Sequence, residues 1–276
     1  MNHDTGTILF AFALTLFAGL ATGIGSAMAF FTKTTNPGFL TASLGFSAGV
    51  MIYVSMVEIF VKARESLSAA LGDSQGYLVT TIGFFAGMLL IALIDKMVPS
   101  FENPHEIKDV EDIHGIKEKP EEIRKKHNLK RMGIFSALAI AIHNFPEGIA
   151  TFVGAINDPA LGITIALAIA IHNIPEGIAV SVPIYYATGS RSKAFGLSFL
   201  SGLSEPLGAV AAYFLFMQFF NDYVFGLLFA IVAGIMVFIS LDQLLPTAEQ
   251  YGEHHVAMYG VVSGMAVMAA SLLLFS

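Results

Sequence analysis

The sequence predicts an all-α protein that crosses a membrane eight times. Of its 276 residues, 55% are hydrophobic and only 13% are charged, against roughly 25% charged in an average soluble domain. A helix needs about 20 apolar residues to cross a hydrocarbon layer of about 30 Å. An outer-membrane barrel would instead alternate polarity within segments of about ten residues. The uninterrupted apolar stretches lie at about 8–31, 38–61, 77–97, 132–156, 160–186, 194–217, 223–246 and 256–275.

The positions of the basic residues predict how these spans are oriented. Twelve of the fourteen lysines and arginines fall on one side of the arrangement, nine of them within residues 96–131. Only Lys62 and Arg64 fall on the other side. Because lysine and arginine concentrate in cytoplasmic connections, we expect both termini outside. Residues 1–276 then form a single transmembrane domain with one sizeable cytoplasmic loop, a polyampholyte linker at about 98–131.

Two near-identical polar motifs interrupt the apolar spans. "HNFPEGIA" at 143–150 and "HNIPEGIA" at 172–179 are 29 positions apart and differ at one residue. At 100° per residue, the His, Asn and Glu of each copy share one helix face. A third segment, "LSEPLGA", adds a glutamate near the middle of the sixth span. The polar residues at mid-membrane depth are His143, Asn144, Glu147, His172, Asn173, Glu176 and Glu205.

The number of buried glutamates favours metal binding over packing. A lone intramembrane His or Asn is explained by an interhelical hydrogen bond of about 0.6 to 2 kcal/mol. Each charged side chain at the bilayer centre costs at least about 2.5 to 3.5 kcal/mol, so three glutamates together cost about 10 kcal/mol. A structural zinc ion can supply about 10 to 16 kcal/mol. We therefore expect these side chains to bind metal.

The types of ligand indicate which metals could bind. Imidazole, carboxylate and carboxamide groups suit Zn²⁺, Fe²⁺, Mn²⁺ or Co²⁺, and the absence of cysteine argues against Cu(I). The seven groups exceed what one tetrahedral ion requires, so Glu147 and Glu176 could bridge two metals.

Prolines and glycines add expectations about helix shape. Each glutamate adjoins a proline, Pro146, Pro175 or Pro206, and a proline inside a helix removes one backbone hydrogen bond. We therefore expect kinked helices around a wet cavity. In the first span, Gly19 and Gly23 lie four residues apart, a spacing that favours close helix packing.

The two repeats, "LSEPLGA" and "AGVMIYVSMVEI" in the second span resemble the ZIP family of divalent-metal transporters, and the likeness covers nearly the whole chain. The resemblance implies eight spans with both ends outside and a binuclear transport site on spans 4 to 6. That site would comprise the seven residues above. The resemblance also aligns Glu58 with a metal-facing position in span 2, although an interfacial carboxylate that extends towards water explains Glu58 equally well.

The expected function is uptake of divalent metal, Zn²⁺ foremost, with Fe²⁺, Mn²⁺ and Co²⁺ as further substrates, across the bacterial cytoplasmic (inner) membrane. The metal is cargo, and we expect no prosthetic group and no enzyme activity. An intramembrane metalloprotease would need a motif such as H-E-x-x-H, which neither repeat has. A metal-gated channel or sensor stays open as an alternative. The expected partners are metal ions and the lipid bilayer; a homodimer is left open, and nucleic acid is not expected.

Overall fold

The computed structural model describes residues 4–31, 37–97, 141–142, 144–219 and 221–275. The described residues form helices joined by short turns, without a strand. The all-α prediction is therefore confirmed. Seven of the described helices are long and apolar enough to cross a membrane. The start of the fourth predicted span, the loop at 98–131 and His143 lie outside the described residues, and the eightfold count and outside termini stay predictions.

We number the helices by predicted span. The eight elements are α1, Thr5–Phe31; α2, which runs through Pro37–Val54, Ser55–Ile59 and Phe60–Leu71; α3, Asp73–Met97; α4, described over 144–157; α5, Pro159–Thr188; α6, in two parts, Arg191–Gly202 and Ser204–Phe216; α7, which runs through Asp222–Ile239, Ser240–Leu244 and Leu245–Tyr251; and α8, His254–Phe275. A 3₁₀ turn, Met217–Phe219, follows α6.

Helix α2 is longer than the sequence predicted. It continues past residue 61 to Leu71 because its last part is amphipathic, with Ala63 and Leu67 fully buried and Arg64 exposed. Both α2 and α7 also contain a π-helical turn, which the hydrophobic pattern did not predict. Single π turns inside α-helices are frequent at functional sites.

The turns around the central helices are fixed by local residue chemistry. Asp158 caps α5 by accepting a hydrogen bond from the Ala160 backbone N–H at 2.9 Å, and Pro159 follows it in the first turn. Gly189 ends α5 with a φ of 64°, in the left-handed region that glycine adopts readily. Ser190 then caps α6. These caps make the α4–α5 and α5–α6 connections short, so the three helices that carry the polar motifs lie side by side.

Helix packing divides into two groups that meet at one interface. In the first group, α1 packs on α5 and on both parts of α6, and α5 packs on α6. In the second, α2 packs on α8 and α3 packs on α7, while the end of α2 contacts both α3 and α7. Helices α2 and α5 join the groups. The polar motifs on α5 and α6 therefore lie in the first group, and α5 is also at this interface.

Candidate metal-binding site

The polar motif residues are completely enclosed. None of the motif residues that the structure describes has solvent-exposed surface. These residues are Asn144, Glu147, His172, Asn173, Glu176 and Glu205. Buried carboxylates require charge partners or ligands to offset their loss of hydration. The described motif residues, which we call the cluster, are therefore all buried, and their mid-membrane depth stays a prediction. Whether the cluster binds metal also stays a prediction.

One contact within the cluster joins α4 to α5. His172 Nε2 lies 3.3 Å from Glu147 Oε2, and both side chains are fully buried. The carboxylate of Glu176 also acts electrostatically on the same imidazole. Imidazole and carboxylate groups from both repeats therefore share one local environment, which is the combination that borderline divalent cations prefer.

A second contact joins α5 to α6. The Asn173 Nδ2 donates a hydrogen bond to Glu205 Oε1, and it also donates to the backbone carbonyl of Ala18 at 2.9 Å. The hydrogen bond to the Ala18 carbonyl brings α1 into contact with the cluster. The sequence did not predict this hydrogen bond, because every residue type carries the same backbone carbonyl. Only the neighbouring Gly19, with its small-residue spacing, indicated a close approach of α1.

Several buried polar atoms have no hydrogen-bond partner within the described part of the chain. Among the carboxylate and carboxamide groups of the motifs, they include Asn144 Nδ2 and Oδ1, Glu147 Oε1, Asn173 Oδ1 and Glu205 Oε2. Leaving such an atom unpaired costs about 1 to 3 kcal/mol, and this cost is repaid when a ligand or water occupies the space. Four of these five atoms are oxygens, and they come from α4, α5 and α6. The donor set therefore suits a hydrated or partly dehydrated divalent cation.

Among the described motif residues, the contacts pair His172 with Glu147 and Asn173 with Glu205. Among the residues that the structure describes, no three His, Asp or Glu side chains are placed to hold a single ion. Asn144 and Asn173, and His143, which lies outside those residues, stay predicted ligands.

Two glycines set the distance between α4 and α6. A Cβ added to Gly148 would lie 2.0 Å from the Glu205 carbonyl oxygen, and one added to Gly208 would lie 2.1 Å from the Phe145 carbonyl oxygen. The two backbones therefore touch directly beside Glu147 and Glu205. The glycine of the "PEG" motif is needed for this contact, because any side chain would force the two glutamates apart.

The prolines affect the two best-described motif helices differently. Helix α5 runs without a break from Pro159 to Thr188 through Pro175, so no interruption is seen there. Helix α6 is interrupted at Leu203, three residues before Pro206. The missing N–H of Pro206 cannot bond to the Gly202 carbonyl, which explains the break. Of these two helices, only α6 is interrupted, and the interruption lies close to Glu205.

Glu58 is the predicted site residue that α2 carries. It is half-buried in the π turn Ser55–Ile59, and the charges that act on it come from Lys62, Glu65 and Asp158. None of these three belongs to the polar motifs. Where α2 packs on α5, Ser47 Oγ donates a hydrogen bond to the His172 carbonyl, at 3.3 Å. A metal-facing role for Glu58 stays a prediction.

Together, the fold and the site define a multi-pass membrane protein whose buried polar groups suit passage of divalent cations. The family model described as ZIP Zinc transporter matches residues 100–272. The chain is also 67% identical to a protein named Zinc transporter ZupT from Lysinibacillus sphaericus, over 98% of both chains. Proteins of the same name from Oceanobacillus iheyensis and Clostridium perfringens are 65% and 61% identical, covering 98–99% of the chain and 99% of each relative. The chain belongs to the ZIP family of zinc transporters. It is thus a membrane transporter of divalent metal cations and not a metalloprotease.

Proposed function

We propose that this transporter carries Zn²⁺ into the cytoplasm through a binuclear site on α4, α5 and α6, with Fe²⁺, Mn²⁺ and Co²⁺ as further substrates. The observation that carries the proposal is the set of unpartnered oxygens on Glu147, Asn173 and Glu205. They belong to side chains that form a buried imidazole–carboxylate pair and a buried amide–carboxylate pair. Relatives that cover nearly the whole chain are named zinc transporters, which supports zinc as the principal cargo.

The proposed path separates two roles for the buried groups. His172 and Glu147, joined across α4 and α5, favour Zn²⁺ because imidazole is a good zinc ligand. Asn173 and Glu205, joined across α5 and α6, supply hard oxygen donors that accept a wider range of divalent ions. Glu147 and Glu176 bridge the two ions in this proposal. Glu58 would meet the cation nearer the outer end of α2.

A membrane potential that is negative inside is sufficient to drive this uptake. It favours inward movement by about 2.3 kcal/mol per elementary charge for each 100 mV, or about 4.6 kcal/mol for a dication. The sequence has no ATP-binding motif of the P-loop type, so the proposal needs no pump.

Zinc uptake into liposomes containing the purified full-length chain tests this proposal. We expect saturable uptake driven by an imposed potential, and loss of uptake in Glu176→Ala. The matched control is Glu253→Ala, which removes an exposed carboxylate in the α7–α8 connection and should leave uptake unchanged. Wild-type liposomes without zinc uptake would refute the function. Equal activity of the two variants would refute the assigned site.

Counter-transport separates a carrier from the metal-gated channel alternative. Unlabelled zinc inside the liposomes should accelerate entry of radioactive zinc if the protein alternates between two states. A channel would show no acceleration and an ohmic current. Competition by Fe²⁺, Mn²⁺ and Co²⁺ in the same assay would rank the substrates.

A further inference from the structure

We propose that the backbone of α1 is part of the metal site: the Ala18 carbonyl orients the Asn173 carboxamide so that its Oδ1 faces the cation. This inference rests on the transport function proposed above. It goes further by assigning a role to a helix that carries none of the polar motifs, and by naming which atom of Asn173 coordinates.

The hydrogen bonds around Asn173 permit only one orientation of its carboxamide. Its nitrogen carries two hydrogens, and Nδ2 contacts two acceptors, the Ala18 carbonyl at 2.9 Å and Glu205 Oε1. A backbone carbonyl can only accept a hydrogen bond. Turning the amide over would place Oδ1 against that carbonyl and against a carboxylate, which are both repulsive contacts. The NH₂ group must therefore face α1 and α6.

The opposite side of the carboxamide is what remains for a ligand. Asn173 Oδ1 is fully enclosed and has no hydrogen-bond partner in the described part of the chain. Glu205 is in a similar state, because Oε1 accepts from Asn173 while Oε2 has no partner there. Each residue thus presents one oxygen. If Asn173 served only to join helices, a hydrogen bond from its Nδ2 to either Ala18 or Glu205 would suffice. There would then be no reason to enclose an unpaired oxygen.

Close backbone contact holds the Ala18 carbonyl in place. A Cβ added to Gly19 would lie 2.6 Å from the Gly202 carbonyl oxygen and 3.5 Å from Glu205 Cβ. Farther along α1, a Cβ on Gly25 would lie 1.9 Å from the Ile174 carbonyl oxygen. Helix α1 therefore touches the α6 backbone at Gly19 and the α5 backbone at Gly25. Such outer contacts orient metal ligands, and their loss typically weakens metal affinity about 10- to 100-fold.

A pair of glycine substitutions on α1 tests the proposal. Gly19→Ala must push α1 from the α6 backbone by several tenths of an ångström. Gly23→Ala is the matched control, since its added carbon meets only the Phe199 ring, at 2.9 Å, and a ring can turn aside. We expect Gly19→Ala to raise the zinc KM about 10- to 100-fold with little change in the maximal rate. Gly23→Ala should keep both values. Equal KM values in the two variants would overturn the proposal.

A double-mutant cycle separates positioning from general packing. If Gly19→Ala acts through Asn173, it should weaken zinc binding in the wild-type background and have no further effect in Asn173→Ala, as measured by calorimetry on purified protein. Additive effects would mean that α1 acts elsewhere and would overturn the proposal. Wild-type protein without saturable zinc uptake would instead refute the underlying function, so the two failures are distinguishable.

A backbone substitution covers the case in which Gly19→Ala does not fold. Replacing Gly19 by glycolic acid turns the Ala18 carbonyl into an ester carbonyl, a weaker acceptor, without adding an atom. The same replacement at Gly23 is the control, because it also removes one helix N–H. A raised zinc KM at position 19 alone supports the orientation argument. The same KM at both positions would contradict it.

Discussion

The contact between α4 and α6 predicts a large effect from a single methyl group at Gly148. In Gly148→Ala the new carbon would lie 2.0 Å from the Glu205 carbonyl oxygen, 2.6 Å from its carbonyl carbon and 2.7 Å from its Cα. All three atoms are backbone, so no side chain can turn away. Ordinary contact begins near 3.4 Å, and the helices must therefore separate by roughly 1 Å or more, with a destabilisation of about 1 to 3 kcal/mol.

That separation moves the glutamates that the two helices carry. Glu147 precedes Gly148, and Glu205 is the residue struck by the new methyl group. Binding groups must be held within about 0.5 Å of their working geometry. We therefore expect Gly148→Ala to lose at least about tenfold in zinc affinity and most of its uptake. Gly196→Ala in α6 is the control, because its added carbon meets nothing within 4 Å.

Zinc uptake by liposomes and zinc binding by calorimetry would measure this effect, with each variant first compared by size-exclusion chromatography and thermal melting in detergent. A Gly148→Ala protein with lower thermal stability but normal zinc affinity would show that the crossing is structural only. Equal uptake by Gly148→Ala and Gly196→Ala would refute the reasoning that the crossing sets the site geometry.

Two further predictions use the same assays. Glu176→Ala should reach the membrane in normal amounts yet show only background zinc uptake, because it removes both a buried charge and a ligand; saturable uptake near the wild-type level would contradict this. His172→Ala should lose more Zn²⁺ than Mn²⁺ transport, since carboxylates and amides still hold harder ions; equal losses would count against the separate roles.

The sequence predicts most of the helix arrangement because a single physical requirement sets it. A membrane span must hide about 20 residues of backbone from lipid, so length and apolar composition are enough to find it. The ends of α5 at Pro159 and Thr188 lie within two residues of the predicted stretch. The extension of α2 to Leu71 was missed because its last part, outside the apolar stretch, is stabilised by packing of Ala63 and Leu67. The two π turns have no pattern in the sequence that differs from an α-helix.

The residues of the candidate site could be predicted, but the contacts between them could not. Helical spacing places His172, Asn173 and Glu176 on one face, and repetition of the motif indicates a partner helix. Spacing does not reveal that His172 lies against Glu147 while Asn173 lies against Glu205, since these pairings depend on how three helices cross. The glycines carried part of that information, because each one at a crossing marks a backbone contact that a side chain would prevent.

The paired His172 and Glu147 also predict how uptake depends on pH. Metal binding requires a neutral imidazole and ionised carboxylates, so protons compete with zinc. A proton on His172 would also turn its 3.3 Å contact with Glu147 into an ion pair, which withdraws two ligands at once. Because protons compete with the metal for these groups, we expect the zinc KM to rise as the pH is lowered from about 7.5 to about 5.5. Initial zinc uptake, measured against pH at fixed membrane potential and buffered free zinc, tests this. The comparison is His172→Gln, whose zinc KM should depend less on pH. A KM that is flat over this range in the wild type would show that protons do not compete at this pair.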